Sequence, residues 1–211
     1  MFGYQGCGKG TTSEGLGRAV NGLVGTVSPG ELLRQARKLG EKSPYHRLFE
    51  PHYDEMDRGQ ILPAEVMEQA LALEIRRLAV EGKRIVILDG YPRNVAQQNG
   101  LIEMLREAMP KRHVPKIKAV ELRVSRETAL KRIATRVQDS GEHARQDDLD
   151  RVALERRLRT YEEATLPVVR ALESEGQLKV ICGERGKREV FKEAFEVLIV
   201  PTVRKRRFFN I

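Results

Sequence analysis

Aromatic residues are scarce in this chain, at 5% of its 211 residues. A protein that reads nucleic acid by stacking bases pairs a basic stripe with aromatics, so the scarcity argues against that class despite a net charge of +8. Cysteine is scarcer. Cys7 and Cys182 lie far apart without metal-ligand spacing, which excludes a disulfide framework and leaves two free thiols suited to a reducing compartment. No apolar run approaches the ~20 residues of a membrane span and no signal peptide opens the chain, so the cytoplasm is the expected location. Low-complexity tracts and internal repeats are also missing. With 40% hydrophobic and 32% charged residues, the composition is that of one globular domain.

Part of the positive charge is local. The tail VRKRRFFNI, from Val203, carries four basic residues and reads as a solvated end. The other arginines are spread along the chain and favour a phosphate-bearing ligand without naming it.

Strand-like and helical patterns alternate. Helices are expected over 12–20, 63–82 (with Met67, Leu71, Ile75 and Leu78 on one face), 94–108, Asp147 to the Pro167 region, and 187–199. RIVIL (84–88) reads as a strand buried on both faces, and KAVELRV (118–124) and LKVIC (178–182) as further strands. This alternation predicts an α/β fold with a parallel sheet flanked by helices, its ligand site at the carboxyl ends of the strands. Two polar stretches interrupt it, 28–62 and 136–146, and read as insertions that cover a site.

Two motifs carry chemistry. In GYQGCGKGT (3–11), glycines allow a sharp turn that aims N–H groups at phosphate oxygens, the lysine adds charge at the outer phosphates, and a hydroxyl reaches magnesium. The strict template places Ser or Thr directly after the lysine, whereas here Gly10 intervenes before Thr11. DGYPRN (89–94) follows the RIVIL strand; its aspartate is placed to hold magnesium through water, and Arg93 offers a planar fork for a second phosphate.

Together these motifs resemble those of the nucleoside monophosphate kinases. SPGELLR (28–34), MDRGQILP (56–63), ARQDD (144–148) and RRLRTYEEATLPVV (156–169) follow in that family's order, and the whole is most similar to adenylate kinases with a short lid. The resemblance implies a phosphate-loop three-layer fold, with an acceptor-binding insertion at 28–62 and a lid at 133–146. It implies transfer of the terminal phosphate of ATP to a nucleoside monophosphate, with Mg2+ held through water near Thr11 and Asp89 and no zinc. Gly6, Cys7, Gly8, Lys9, Gly10, Thr11, Arg132 and Arg136 are then the expected donor site. Ser28, Pro29, Arg34, Gln60, Leu62, Gly90, Arg93, Gln97, Arg145 and Arg157 are the expected acceptor site. Lys9, Asp89, Arg93, Arg136, Arg145 and Arg157 are the catalytic set. The expected partners are small nucleotides, with neither nucleic acid nor membrane, and the expected state is a monomer.

Three departures stand out. Pro29 occupies a position where adenylate kinases usually carry a threonine facing the base; Ser28 and Glu31 are expected to cap the helix that Pro29 begins. Gln97 matches the glutamine that reads adenine, so AMP is the favoured acceptor, with UMP or CMP as the alternative. Only Met1 and Phe2 precede the glycine loop, where relatives have a central strand. A shortened reading frame is the expectation there, with a catalytically impaired nucleotide-binding protein as the other reading. Finally, ICG (181–183) lacks the aspartate many relatives have, and Cys182 is expected to be a small buried hydrophobe.

Overall fold

A computed structural model describes residues 1–58, 60–109, 116–141 and 146–201; the basic tail from Val203 lies outside them. The elements run α1 (Lys9–Ala19), β1 (Val24–Val27), α2 (Pro29–Leu39), α3 (His46–Phe49), α4 (Tyr53–Asp57), α5 (Ala64–Val80), β2 (Ile85–Leu88) and α6 (Val95–Ala108). After these come β3 (Ala119–Arg123), α7 (Arg126–Ser140), α8 (Gln146–Leu149), α9 (Arg151–Thr160), a π-helical turn (Tyr161–Thr165), α10 (Leu166–Ser174), β4 (Leu178–Cys182) and α11 (Lys187–Leu198).

β1 pairs in parallel with β2, Val24 opposite Ile85, and β3 pairs in parallel with β4, Ala119 opposite Leu178. Met1 and Phe2 lie between the two pairs. The Met1 amino group donates to Leu88 O at 2.6 Å, and its carbonyl accepts from Gly90 N–H at 2.9 Å. Phe2 N–H donates to Val120 O at 2.7 Å, and its carbonyl accepts from Leu122 N–H at 3.0 Å. Two residues thus do a central strand's pairing at the carboxyl end of the sheet, where the glycine loop begins.

The sheet separates two cores. Val27, Val86 and Leu88 face a core built on Phe49, Leu71, Ile75 and Met104, from the 28–62 segment, α5 and α6. Val24, Ile85 and Ile87 face the other, with Leu16 of α1, Val120, Leu122, Ile181 and Ala194 of α11. The split follows from side chains alternating across a strand, and it gives the expected three layers. Full burial of each Leu, Ile or Phe here contributes about 1.5–3 kcal/mol.

Several expectations need correction. β2 packs against a core on each face, but less completely than expected: Ile87 is buried, and Ile85, Val86 and Leu88 are half-buried. Cys182 is exposed, because alternation along β4 turns the fully buried Ile181 inward and its neighbour outward. The single helix expected from Asp147 is broken. Asp150 caps a new helix, its Oδ1 accepting from Val152 N–H at 2.8 Å and Ala153 N–H at 3.1 Å, and Pro167 sits in the first turn of α10. β1, VGTV, is a strand that the apolar pattern does not announce.

Candidate active site

The glycine loop runs from the end of Phe2 into α1. Gly6 has φ +85°, and a Cβ there would lie 2.7 Å from Ala129 O and 2.9 Å from Ile133 Cγ1. Gly8, at φ +104°, is the N-cap of α1, and no side chain caps that helix end. The first-turn N–H groups therefore have no intrahelical acceptor, and the helix dipole adds positive potential, the usual makings of an anion site. Lys9 Nζ folds back over the loop, donating to Gly3 O at 2.7 Å and Tyr4 O at 2.9 Å, and lies 3.5 Å from the buried Cys7 Sγ.

A single cleft of about 1810 Å3 opens beside this loop, and the expected site residues that fall in the described segments all line it. Asp89 enters from the end of β2. Its Oδ1 is buried and has no hydrogen-bond partner, so it needs a donor from a ligand or from the water shell of a cation. Arg93 Nε donates to Gly90 O at 3.0 Å, and its backbone is gripped from both sides. Its N–H donates to Gln97 Oε1 at 2.8 Å, and its carbonyl accepts from Thr165 Oγ1 at 2.8 Å. The Arg93 guanidinium is exposed toward the cleft although protein surrounds it; that enclosure, then the like charges of Arg157 and Arg34, pull its pKa below the usual arginine value. Three guanidinium groups close enough to repel one another form a site that an anion stabilises.

On the donor side, Arg132 bonds Cys7 O at 3.3 Å and Gly183 O at 2.8 Å, joining α7 to the loop and to the end of β4. Arg136 lies 2.7 Å from Asp148 Oδ2, an ion pair whose N–H is not aligned for a hydrogen bond, and its buried Nε has no partner. It therefore keeps hydrogen-bonding capacity for an anion. Arg145 lies outside the described residues.

On the acceptor side, Pro29 opens α2 as expected, but Ser28 makes no side-chain cap and Glu31 pairs instead with Arg34, Arg34 NH2 to Oε2 at 2.8 Å. The capping box does not form, because the one carboxylate long enough to reach back is held by the arginine a turn away. Gln97 is buried, with Nε2 donating to Leu62 O at 3.3 Å. Gln97, Leu62, Gln60, Ser28 and Gly90 all line the cleft.

Sequence reasoning did not single out Gln5, Asp148 or Thr165. Asp148 and Thr165 lie inside motifs already quoted, and Gln5 inside the glycine loop, but nothing along the chain marks their contacts. The Tyr91–Pro92 bond, within DGYPRN, is cis.

The adenylate kinase family model matches residues 1–177. The chain belongs to the adenylate kinase family. It is 35% identical to the adenylate kinase of Parvibaculum lavamentivorans over 199 residues, 94% of this chain and 90% of that protein. It is 34% identical to the adenylate kinase of Bifidobacterium longum, over 87% of this chain and 89% of that one. A uridylate kinase of Schizosaccharomyces pombe is 29% identical over 94% of this chain and 95% of its own length. Members of this family are nucleoside monophosphate kinases, so this adenylate kinase homologue is a phosphotransferase that uses ATP with a divalent metal. Among the described residues no group of three or more His, Cys, Asp or Glu side chains is placed to bind a metal directly, and no helix is long and apolar enough to cross a membrane.

Proposed function

We propose that the protein transfers the terminal phosphate of ATP to AMP, forming two ADP, as a monomer acting on small nucleotides. The observation that carries this reading is the convergence on one cleft of the glycine loop and the Arg34, Arg93 and Arg157 cluster. Phosphoryl transfer asks the protein for little covalent chemistry. It needs two anions held in line with their charge neutralised.

Lys9 and the α1 amides hold the donor phosphates, Lys9 exchanging the Gly3 and Tyr4 carbonyls for phosphate oxygens. Arg132 lies against the donor base. Arg34 and Arg93 grip the acceptor phosphate, and Arg136, Arg145 and Arg157 close over the group in transit. Thr11 and Asp89 are the residues that would hold Mg2+, and the unpartnered Asp89 Oδ1 fits that role. When bound, the metal neutralises charge on the outer phosphates. Segment 28–62 is the acceptor insertion and 133–146 the lid, and their closure excludes water, which would otherwise compete as acceptor.

A second reading, a UMP or CMP kinase, is favoured by Pro29, which cannot donate to an adenine, and by the similarity to a uridylate kinase. Turnover with MgATP against AMP, CMP, UMP and GMP in parallel separates the two. AMP is expected to lead; a ranking headed by CMP or UMP overturns the acceptor assignment and leaves the mechanism standing.

A further inference from the structure

Gln5 lies in the glycine loop and lines the cleft, and its side chain ties the loop to a distant segment of the chain. Its Nε2 donates at 2.5 Å to Oδ1 of Asp148, 143 residues away in sequence. The Asp148 side chain is 1% exposed, and its other oxygen, Oδ2, faces Arg136 NH2 at 2.7 Å without alignment. One buried carboxylate is thus shared between the loop that holds a phosphate and the arginine on α7 that faces the same cleft.

We propose that Gln5 is a positioning residue for phosphoryl transfer, its amide fixing the Asp148 carboxylate so that Arg136 stays turned toward the cleft. The inference rests on the phosphate role given to Arg136 above. The physical argument concerns one soft torsion. A carboxylate rotates easily about its terminal bond, so an oxygen must be pinned to fix the plane. With Oδ1 held by Gln5, only Oδ2 meets Arg136, off-axis, and the guanidinium keeps unspent donors. Without Gln5 the carboxylate turns to meet the guanidinium fork with both oxygens, the pairing that carboxylates and arginine favour, and draws Arg136 away from phosphate. A buried oxygen left without its donor adds to the driving force for that turn.

The test compares the native chain with Gln5→Ala, Arg136→Ala and the double variant, reading kcat, acceptor KM and melting temperature. Gln5→Ala is expected to lower kcat roughly tenfold, the scale of one hydrogen bond to a charged group, with acceptor KM within about twofold. Added to Arg136→Ala, it is expected to cause no further loss. A native kcat for Gln5→Ala, or full additivity with Arg136→Ala, overturns the inference. Native turnover in Arg136→Ala overturns the role of Arg136, and this inference with it; slow Arg136→Ala beside normal Gln5→Ala overturns the inference alone.

Gln5→Glu supplies a readout that a merely structural role does not move. Near pH 8 it sets two carboxylates against each other and turnover falls. As pH drops toward about 5.5, a shared proton restores a donor to Asp148, and turnover relative to the native chain recovers. The other ionisable groups lining the cleft here, Lys9 from α1, Arg136 and Asp139 from α7, Asp150 before α9 and Arg157 on α9, are common to both chains and cancel in the ratio. Should Gln5→Ala fail to fold, a flat ratio for Gln5→Glu across this range overturns the proposal by itself.

Discussion

Acetylating the Met1 amine is the perturbation whose effect can be worked most fully from the structure. In a chain that starts at Met1 with a free amine, that group lies inside the sheet, 2.6 Å from Leu88 O, in a residue that is 8% exposed. Burial lowers its pKa from 8.0 to about 6; the Asp89 charge opposes the shift, and Lys9 adds to it. Between those two values the unfolded chain holds a proton that the folded chain has released. Stability therefore rises with pH across the window from about 6 to 8. Below the window both states are protonated and the folded state bears the whole cost; above it neither is, and the cost disappears. A tenfold change in proton affinity is about 1.4 kcal/mol, so the full effect is about 3 kcal/mol, or roughly 6–12 °C in Tm for a domain of this size. An Nα-acetyl group replaces the ammonium by a neutral amide whose N–H still donates to Leu88 O. Urea unfolding of the free and acetylated chains, followed by circular dichroism from pH 5.5 to 9, isolates the term, because other titrating groups are common to both. The acetylated chain should be more stable by about 3 kcal/mol near pH 5.5, with the gap closing by pH 9. A gap that does not change with pH, or greater stability of the free amine at low pH, refutes the reasoning and shows that attraction to Asp89 outweighs burial.

The remaining predictions concern the cleft. Lys9→Met and Arg93→Ala should each lower turnover at least about a hundredfold with an unchanged circular dichroism spectrum, the range for a charged group lost from a phosphoryl-transfer site; near-native rates in either contradict the assigned role. Gly6→Ala places a methyl 2.7 Å from Ala129 O at φ +85°, so it should cost about 1–3 kcal/mol in urea unfolding and weaken ATP binding measured by calorimetry; native affinity refutes the loop geometry. Pro29→Thr restores a hydroxyl at the start of α2 and should raise the ratio of AMP to CMP turnover, whereas an unchanged ratio removes Pro29 from base recognition.

Features set by local pattern were legible in the sequence. RIVIL and LKVIC stand out as short apolar runs and the α5 stripe from Met67 to Leu78 by its helical spacing, and DGYPRN falls where the end of β2 meets the start of α6. What escaped was decided by tertiary partners. VGTV has too few apolar residues to stand out, and it is a strand because β2 pairs with it through the full length from Val24 to Val27. Glu31 is suited to cap α2 by spacing, but Arg34 competes for the same carboxylate and holds it. Cys182 was misjudged because its burial depends on which way Ile181 turns within β4. The break at Asp150 was written in a capping residue, masked by the helical propensity on either side. The Gln5–Asp148–Arg136 chain has no signature at all, since it joins three separate segments through side chains.

The two-residue segment between β2 and β3 ties these threads together. Gly90 follows Asp89, and its N–H donates to Met1 O, while Phe2 leads directly into the glycine loop. The backbone of Met1 and Phe2, bonded to Leu88, Gly90, Val120 and Leu122, is therefore the same backbone that sets Asp89 beside the loop. The most direct measurement is ADP formation by the purified 211-residue chain given MgATP and AMP, with each nucleotide quantified by chromatography. Two ADP for each ATP consumed, at a rate far above the nucleotides alone, is the predicted result. Nucleotide binding without any ADP would contradict it, and would mean that the loop and the arginine cluster bind phosphates without bringing them into line.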